Sequence, residues 1–281
     1  MPIGRSITTL TAIAALVGAF ACSSDSSTSP GQSVPESEID QSVTSDVGES
    51  FADAVDQYDD NESFQADLSG GTSTFSAQSG SGAGTESRTV TCGGPDGEGW
   101  YSCVAYTDRG LTIARQVRFW SGGSLALGWN GATTDSVNHR WTRTGTVNSV
   151  VKPGKVRMID DADTASMVVQ RGTPVFHVWN GAGARIDSST YTVNGVERIF
   201  AYTAHDTAAA LTFTIPRSEN PYPASGSISR NLELHFTAGG FDKTITRSAK
   251  ITFNGTSVAE LQVGALTCDL DLVTRVVSNC H

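Results

Sequence analysis

Two neighbouring stretches, ISRNLELHF at 228–236 and KTITRSAKITF at 243–253, alternate apolar and polar residues with a period of two. In the first, Ile228, Leu232, Leu234 and Phe236 share one side, and Ser229, Asn231, Glu233 and His235 the other. In the second, Ile245, Ala249, Ile251 and Phe253 oppose Thr244, Thr246, Ser248, Lys250 and Thr252. That period belongs to an extended chain with one side buried and one wet, not to a helix. Similar runs, rich in β-branched and aromatic residues, occur at 101–107, 111–120, 124–129, 137–147, 167–170, 174–179, 190–193, 196–203, 211–215, 258–263 and 266–272. No stretch after Arg88 has helical spacing of useful length. Residues 88–281 therefore read as an all-β antiparallel domain of about a dozen strands, either a sandwich or a (half-)barrel meander.

The turns have their own signature. Asn-Gly occurs at 130–131, 180–181, 194–195 and 254–255, each time after a strand-like run. Both residues tolerate positive φ, as a type I′ hairpin turn requires, so all four pairs are expected at reversals of the chain. Two of them lie in a repeated WNGA, at 129–132 and 179–182. The offset is not sustained elsewhere, so the repeat reads as a way of turning and not as a solenoid or a binding element.

Charge divides the chain. Residues 22–87 hold 13 acidic residues and no Lys or Arg, whereas residues 88–281 hold 18 basic and 16 acidic ones. The acidic part is poor in apolar residues over 23–41 and rich in Gly and Ser over 69–87, compositions that cannot offset chain entropy, so 22–87 is expected to be a mostly disordered tether. Between these stretches, DVGESFADAVDQYDD places Val47, Phe51, Ala54, Val55 and Tyr58 at helical spacing, and Asp46 with Glu49 resembles a capping box. The spacing suits a short amphipathic helix over 46–58 as well as it suits a nascent helix in a solvated arm. On this reading the acidity belongs to the tether, so it implies no cationic partner for the domain. The domain's Arg residues are scattered among acids, which excludes a nucleic-acid footprint.

The first residues, MPIGRSITTLTAIAALVGAFAC, place Arg5 before an apolar stretch over 7–20 that is too short to span a membrane and is expected to be a signal peptide, 1–21. Ala19, Phe20, Ala21 and Cys22 resemble the lipobox of bacterial lipoproteins. That resemblance implies cleavage before Cys22, lipidation of its thiol and a membrane anchor, while ordinary signal cleavage at the same bond leaves a freely secreted protein. Ser23, in place of Asp, implies the outer membrane or cell surface. Lipidation of Cys22 leaves an even set, Cys92, Cys103, Cys268 and Cys280, for disulfides in an oxidising compartment. Three connectivities are open, and sequential pairing closes the shortest loops. No Cys-x-x-Cys or His pair at ligand spacing points to zinc.

Catalytic motifs are missing from the sequence: it has no Gly-x-Ser-x-Gly, no His-Glu-x-x-His, no phosphate loop and no dinucleotide fingerprint. Asp160, Asp161 and Asp163 in MIDDADTAS offer oxygen ligands for calcium, but without an EF-hand's Gly and distal Glu they read as a solvated acidic turn. Glu233 with His235, and His205 with Asp206, are acid/base pairs without a third partner and read as outward polar residues. Trp129, Trp141 and Trp179 offer either a carbohydrate platform or core packing. The expectation is a lipid-anchored envelope module that binds or supports, with no catalytic residue, cofactor or metal, and with a glycan, lipid or envelope protein as partner. The alternatives are a carrier of an apolar ligand in a curved sheet and a hydrolase of envelope polysaccharide using dispersed carboxylates.

Overall fold

The computed structural model describes residues 36–67, 74–78 and 87–281. The signal segment, Cys22, the 23–35 stretch and most of the Gly/Ser-rich spacer lie outside them. Among the described residues one helix, α1 (Glu36–Asp67), precedes fifteen strands. These are β1 (Thr74–Gln78), β2 (Ser87–Thr91), β3 (Tyr101–Ser102), β4 (Tyr106–Asp108), β5 (Leu111–Ser121), β6 (Ser124–Ala126), β7 (Ser136–Asn148) and β8 (Val156–Gln170). There follow β9 (Val175–Val193), β10 (Val196–Ile215), β11 (Ser225–Ala238), β12 (Phe241–Thr252), β13 (Val258–Val263), β14 (Leu266–Asp271) and β15 (Val277–Ser278). β1 and β2 form a two-stranded pair, and the other thirteen strands make one antiparallel sheet. From β7 to β15 consecutive strands pair in chain order, β7 also pairs with β5, and β3, β4 and β6 pair with β5. The sheet is a meander that does not close into a barrel, so the open half-barrel is the form realised.

The strands with an apolar inner side follow the alternation directly. Ile228, Leu232, Leu234 and Phe236 of β11 are buried, and Glu233 and His235 are exposed. The longest strands do not, because their inner sides carry charge. β8 runs unbroken through MIDDADTAS with Arg157, Ile159 and Asp161 inward and Met158 and Asp160 outward, so the acidic turn expected there is a strand. β9 and β10, of 19 and 20 residues, each merge two of the shorter runs for the same reason.

The Asn-Gly pairs divide. Asn194 (φ 52°) and Gly195 (φ 77°) form the two-residue turn between β9 and β10 as expected, and Asn130 and Asn254 lie in the connections after β6 and β12. Asn180-Gly181 corrects the expectation: it sits inside β9, opposite Ser166 and Ala165 of β8. A Cβ on Gly181 would lie 2.7 Å from the Tyr58 hydroxyl and 2.9 Å from the Thr164 carbonyl oxygen. The glycine is there for close approach of the helix, not for a turn.

α1 is the filling of the half-barrel. It covers the 46–58 stretch and extends well beyond it at both ends, so Asp46 and Glu49 are mid-helix residues and not a cap. Val43, Val47, Phe51, Val55, Tyr58 and Phe64 join one core with Val117, Trp141, Trp179, Phe200, Leu234, Ile251 and Leu261 from across the sheet. Each fully buried Phe contributes roughly 1.5–3 kcal/mol. The residues expected to be a solvated tether thus form a helix that, over 39–65, is buried on most of its surface. Two disulfides, Cys92–Cys103 and Cys268–Cys280, realise the sequential pairing. One joins the segment after β2 to the end of β3, and the other ties β14 to the chain beyond β15, so each secures one free margin of the sheet.

Candidate functional site

The inner side of the sheet carries an ion ladder. Arg143 of β7, Asp161 of β8 and Arg185 of β9 are direct cross-strand neighbours. The Arg143 guanidinium donates to both Asp161 oxygens at 2.6–3.1 Å, and Arg185 donates to Asp161 Oδ2 at 3.0 Å. Alternating signs at directly opposed positions are the favourable arrangement on a sheet face. Burial pushes the Asp161 carboxyl up, but the two guanidinium groups outweigh it and hold it below its usual value. Arg157 Nη2 donates to Asp187 Oδ2 at 2.5 Å, and Arg230 donates to both oxygens of Asp206 at 2.8 and 2.9 Å.

The helix brings the complementary charge. Lys155 Nζ donates to Asp46 Oδ1 at 2.7 Å and Glu49 Oε2 at 3.3 Å, and all three side chains are almost fully buried. Arg157 Nη1 donates to Asp53 Oδ2 at 2.7 Å. Arg275, in the turn after β14, donates to both Asp53 and Asp56. Arg217 binds Asp59, Arg247 binds Asp40, and Arg115 Nη2 lies 3.6 Å from Asp60. Ser50 receives Arg185, Arg230 and Tyr202 on its hydroxyl. At Asp53, burial is the largest influence and raises the carboxyl, yet Arg157, Arg275, Arg143 and Arg185 together hold it well below the usual carboxylate range.

Further along, Tyr58 packs edge-on against Trp141 and Trp179, with centroids 5.8 and 5.5 Å away. Glu62 accepts from Trp179 Nε1 and lies 2.7 Å from His177 Nδ1. Trp129 is partly buried and meets His177 edge-on at 5.6 Å. Trp141 and Trp179 are thus buried against the helix, their rings covered by the chain's own Tyr58 instead of forming an open platform with Trp129. His139 lies 3.3 Å from Gln65 Oε1, and burial, with Arg115, pushes its imidazole down to about 3.

Where the two margins of the sheet approach across α1, a half-open cleft of about 300 Å³ remains. The helix supplies Asp53, Asp56, Gln57 and Asp60, the sheet supplies apolar Leu111, Ile113 and Ile159, and Arg109 and Arg275 stand among them. Asp56, at the mouth, is pushed up to about 6 by burial and by Asp53 and Asp60, against the pull of Arg275. A second carboxyl, Asp163, lines a narrow chamber beside Tyr58 and Trp141. Burial and the Asp161 charge push it up to about 7, against Arg185 and Arg143. These two can hold or release a proton near neutral pH, and Asp53 and Asp161 stay ionised.

The other sequence candidates do not assemble as the pairs expected. His205 points outward and Asp206 inward, as adjacent strand residues must, while His205 and Glu233 border one open trough on the outer side and His235 Nε2 meets Asp242 Oδ1 at 2.8 Å. Asp160 faces away from Asp161 and Asp163, and among the described residues no group of three His, Cys, Asp or Glu side chains could hold a metal ion. What sequence reading missed is the pairing of helix acids with sheet bases. Its trace was there: Val137, His139, Trp141 and Arg143 share one side of a strand, which puts an Arg on a core face.

Fold and site together define an open antiparallel meander cored by one acidic helix and locked by internal ion pairs. The chain matches no protein-family model, no curated protein and no solved structure.

Proposed function

We propose that this protein is an exported, lipid-anchored module of the bacterial envelope, held to the membrane through Cys22, that binds or supports a partner and does not carry a ligand inside its sheet. The observation that carries the reading is the filled half-barrel. Phe51, Val55, Tyr58 and Phe64 occupy the place where a carrier would hold an apolar ligand, and the helix acids around them are spent on Arg and Lys partners. Two disulfides at the sheet margins support an oxidising compartment. The signal-like first 21 residues and the small residues before Cys22 support anchoring.

The test is the intact mass of the mature protein purified from membranes, with and without reduction. A diacylated Cys22 and a gain of four hydrogens on reduction are expected. An unmodified N-terminal Cys would remove the anchor, and four free thiols would remove the oxidising compartment. A second reading, hydrolysis of an envelope polysaccharide, is favoured by one observation: Asp56 stands in a half-open cleft beside Asp53 and Asp60, and burial, with their charges, pushes its carboxyl up to about 6 against the pull of Arg275. Release of reducing ends from envelope glycans by the wild type, abolished in Asp56→Asn, would establish it.

A further inference from the structure

The convex side of the sheet differs from the interior in how its cations are held. Inside, Arg143, Arg157, Arg185 and Arg230 each meet a carboxylate. Outside, Arg118 of β5 and Arg140 of β7 have no carboxylate partner in the described residues. Both instead pack on Trp100, with guanidinium carbons 4.5 and 4.0 Å from the ring centroid. Arg118 also lies 5.2 Å from the Trp120 ring and donates from Nε to Asn138 Oδ1 at 3.0 Å, an oxygen that Trp120 Nε1 meets at 2.8 Å. Stacking of this kind fixes the planes of two otherwise mobile side chains while leaving their charge uncompensated.

These groups border an open trough of about 460 Å³ whose other lining residues include Thr164, Ser166 and Asn180. Cross-strand registry sets them side by side: Arg118, Asn138, Ser166 and Asn180 follow one another across β5, β7, β8 and β9, and Arg140 neighbours Thr164. Hydroxyl and amide groups that both donate and accept flank two ordered guanidinium groups, and no acid lines the trough. Sugar hydroxyls match the first set, and a carboxylate or sulfate matches the second. A nucleic acid would need a longer track of cations than two.

We infer that this trough binds an anionic glycan, its acidic group held between Arg118 and Arg140 and its hydroxyls by Asn138, Ser166 and Asn180. The inference rests on the reading of the protein as a binding module and names the class of its ligand.

Calorimetric titration of the full chain with a galacturonic-acid hexamer and with a sulfated heparin-type hexamer tests it, against maltohexaose and a single-stranded DNA oligonucleotide. Binding of one or both acidic glycans is expected, which of them binds identifying the anionic group, with weakening as salt rises. Arg140→Gln and Arg118→Gln should each weaken it roughly tenfold or more, the loss of a charged hydrogen bond. Lys250→Gln, elsewhere on the convex side, should leave it unchanged. Both Arg sites are at least partly exposed, so the variants fold. No binding by the wild type, equal binding of maltohexaose, tighter binding of DNA, or equal losses in Lys250→Gln and Arg140→Gln would each overturn the inference. If the wild type binds the acidic glycans and both Arg variants keep full affinity, the trough is wrong while the binding-module reading stands.

Discussion

Replacing Arg157 by Met asks whether charge pairing holds α1 in the sheet. The Arg157 side chain is 2% exposed and meets three carboxylates, Asp53 of the helix at 2.7 Å, Asp187 of β9 at 2.5 Å and, more distantly, Glu49 of the helix at 3.6 Å. Met keeps most of the volume, so the cavity contribution is small and the electrostatic one dominates. In the variant Asp53 retains Arg275, but Asp187 is left, 3% exposed, with the Tyr202 hydroxyl at 3.2 Å. Removing one partner of a buried pair costs about 3–5 kcal/mol, and the surviving Arg275 contact places this case near about 3. In a domain of this size that corresponds to a fall in Tm of roughly 6–12 °C. The pH dependence carries a sign. Wild-type Asp53 is held below its unfolded value, so its contribution is present above about pH 4 and fades as pH falls further. Without Arg157 there is less of it to lose, so the gap between variant and wild type narrows on acidification. Urea unfolding at pH 7 and pH 3.5 measures both. In Arg157→Met/Asp187→Leu, which removes the stranded carboxylate as well, much of the lost stability returns. A cost below about 1 kcal/mol, or a cost independent of pH, would refute the electrostatic account.

Three further outcomes are expected. Gly181→Ala forces a Cβ against the Tyr58 hydroxyl and the Thr164 carbonyl and should cost about 1–3 kcal/mol in urea unfolding, part of which Tyr58→Phe in the same chain restores. Opening either disulfide by paired Cys→Ser substitution releases a loop of 11 or 12 residues' separation and should cost roughly 2–3 kcal/mol, with the first proteolytic cuts moving to the margin concerned. Asp163, pushed up to about 7, binds a proton in the folded state that the unfolded chain has released above about pH 4, so it makes stability fall as pH rises from 4 to 7. Asp163→Asn should therefore gain on the wild type in urea midpoint between those two pH values.

Strands with apolar inner sides, such as β11 and β13, were legible because hydrophobic alternation reports burial directly. β8, β9 and β10 were legible only at their ends. Between them the buried positions of β8 and β9 include Arg157, Asp161, Arg185, Asp187 and Ser189, which pass for a wet face when polarity is taken to mean exposure, and in mid-strand β10 buries only the small Ala204 and Ala208. The helix failed for the mirror reason: Asp46, Glu49, Asp53 and Glu62 look solvated until their partners on the sheet are known. The disulfide pairing followed from loop length. The repeated WNGA misled because glycine has two uses. At 130–131 it marks a connection, and at 180–181 it makes room for the Tyr58 hydroxyl, a distinction that depends on Tyr58 being opposite.

The same charges explain why the helix and the sheet need each other. Along α1, Glu49, Asp53, Asp56 and Asp60 recur at three- and four-residue spacing, where like charges repel, and the helix contains no base to relieve them. Alone, such a segment gains little beyond propensity and stays largely unfolded. Part of the sheet's inner charge is equally unsupported: Arg143, Arg185 and Arg230 pair with sheet carboxylates, but Lys155 finds its carboxylates, Asp46 and Glu49, on the helix and would be left uncompensated without it. Joining the two cancels both penalties at once and sets the helix's rotation and axial position, because Lys155, Arg157, Arg275 and Arg217 each donate to particular carboxylates along its length. Apolar contact alone would tolerate a slide of one turn, whereas the ion pairs would be broken by it. The uneven distribution of acid and base along the sequence is thus a record of which surfaces must meet, and Arg118 and Arg140 of the convex face stand out because they stack on Trp100 and not on a carboxylate.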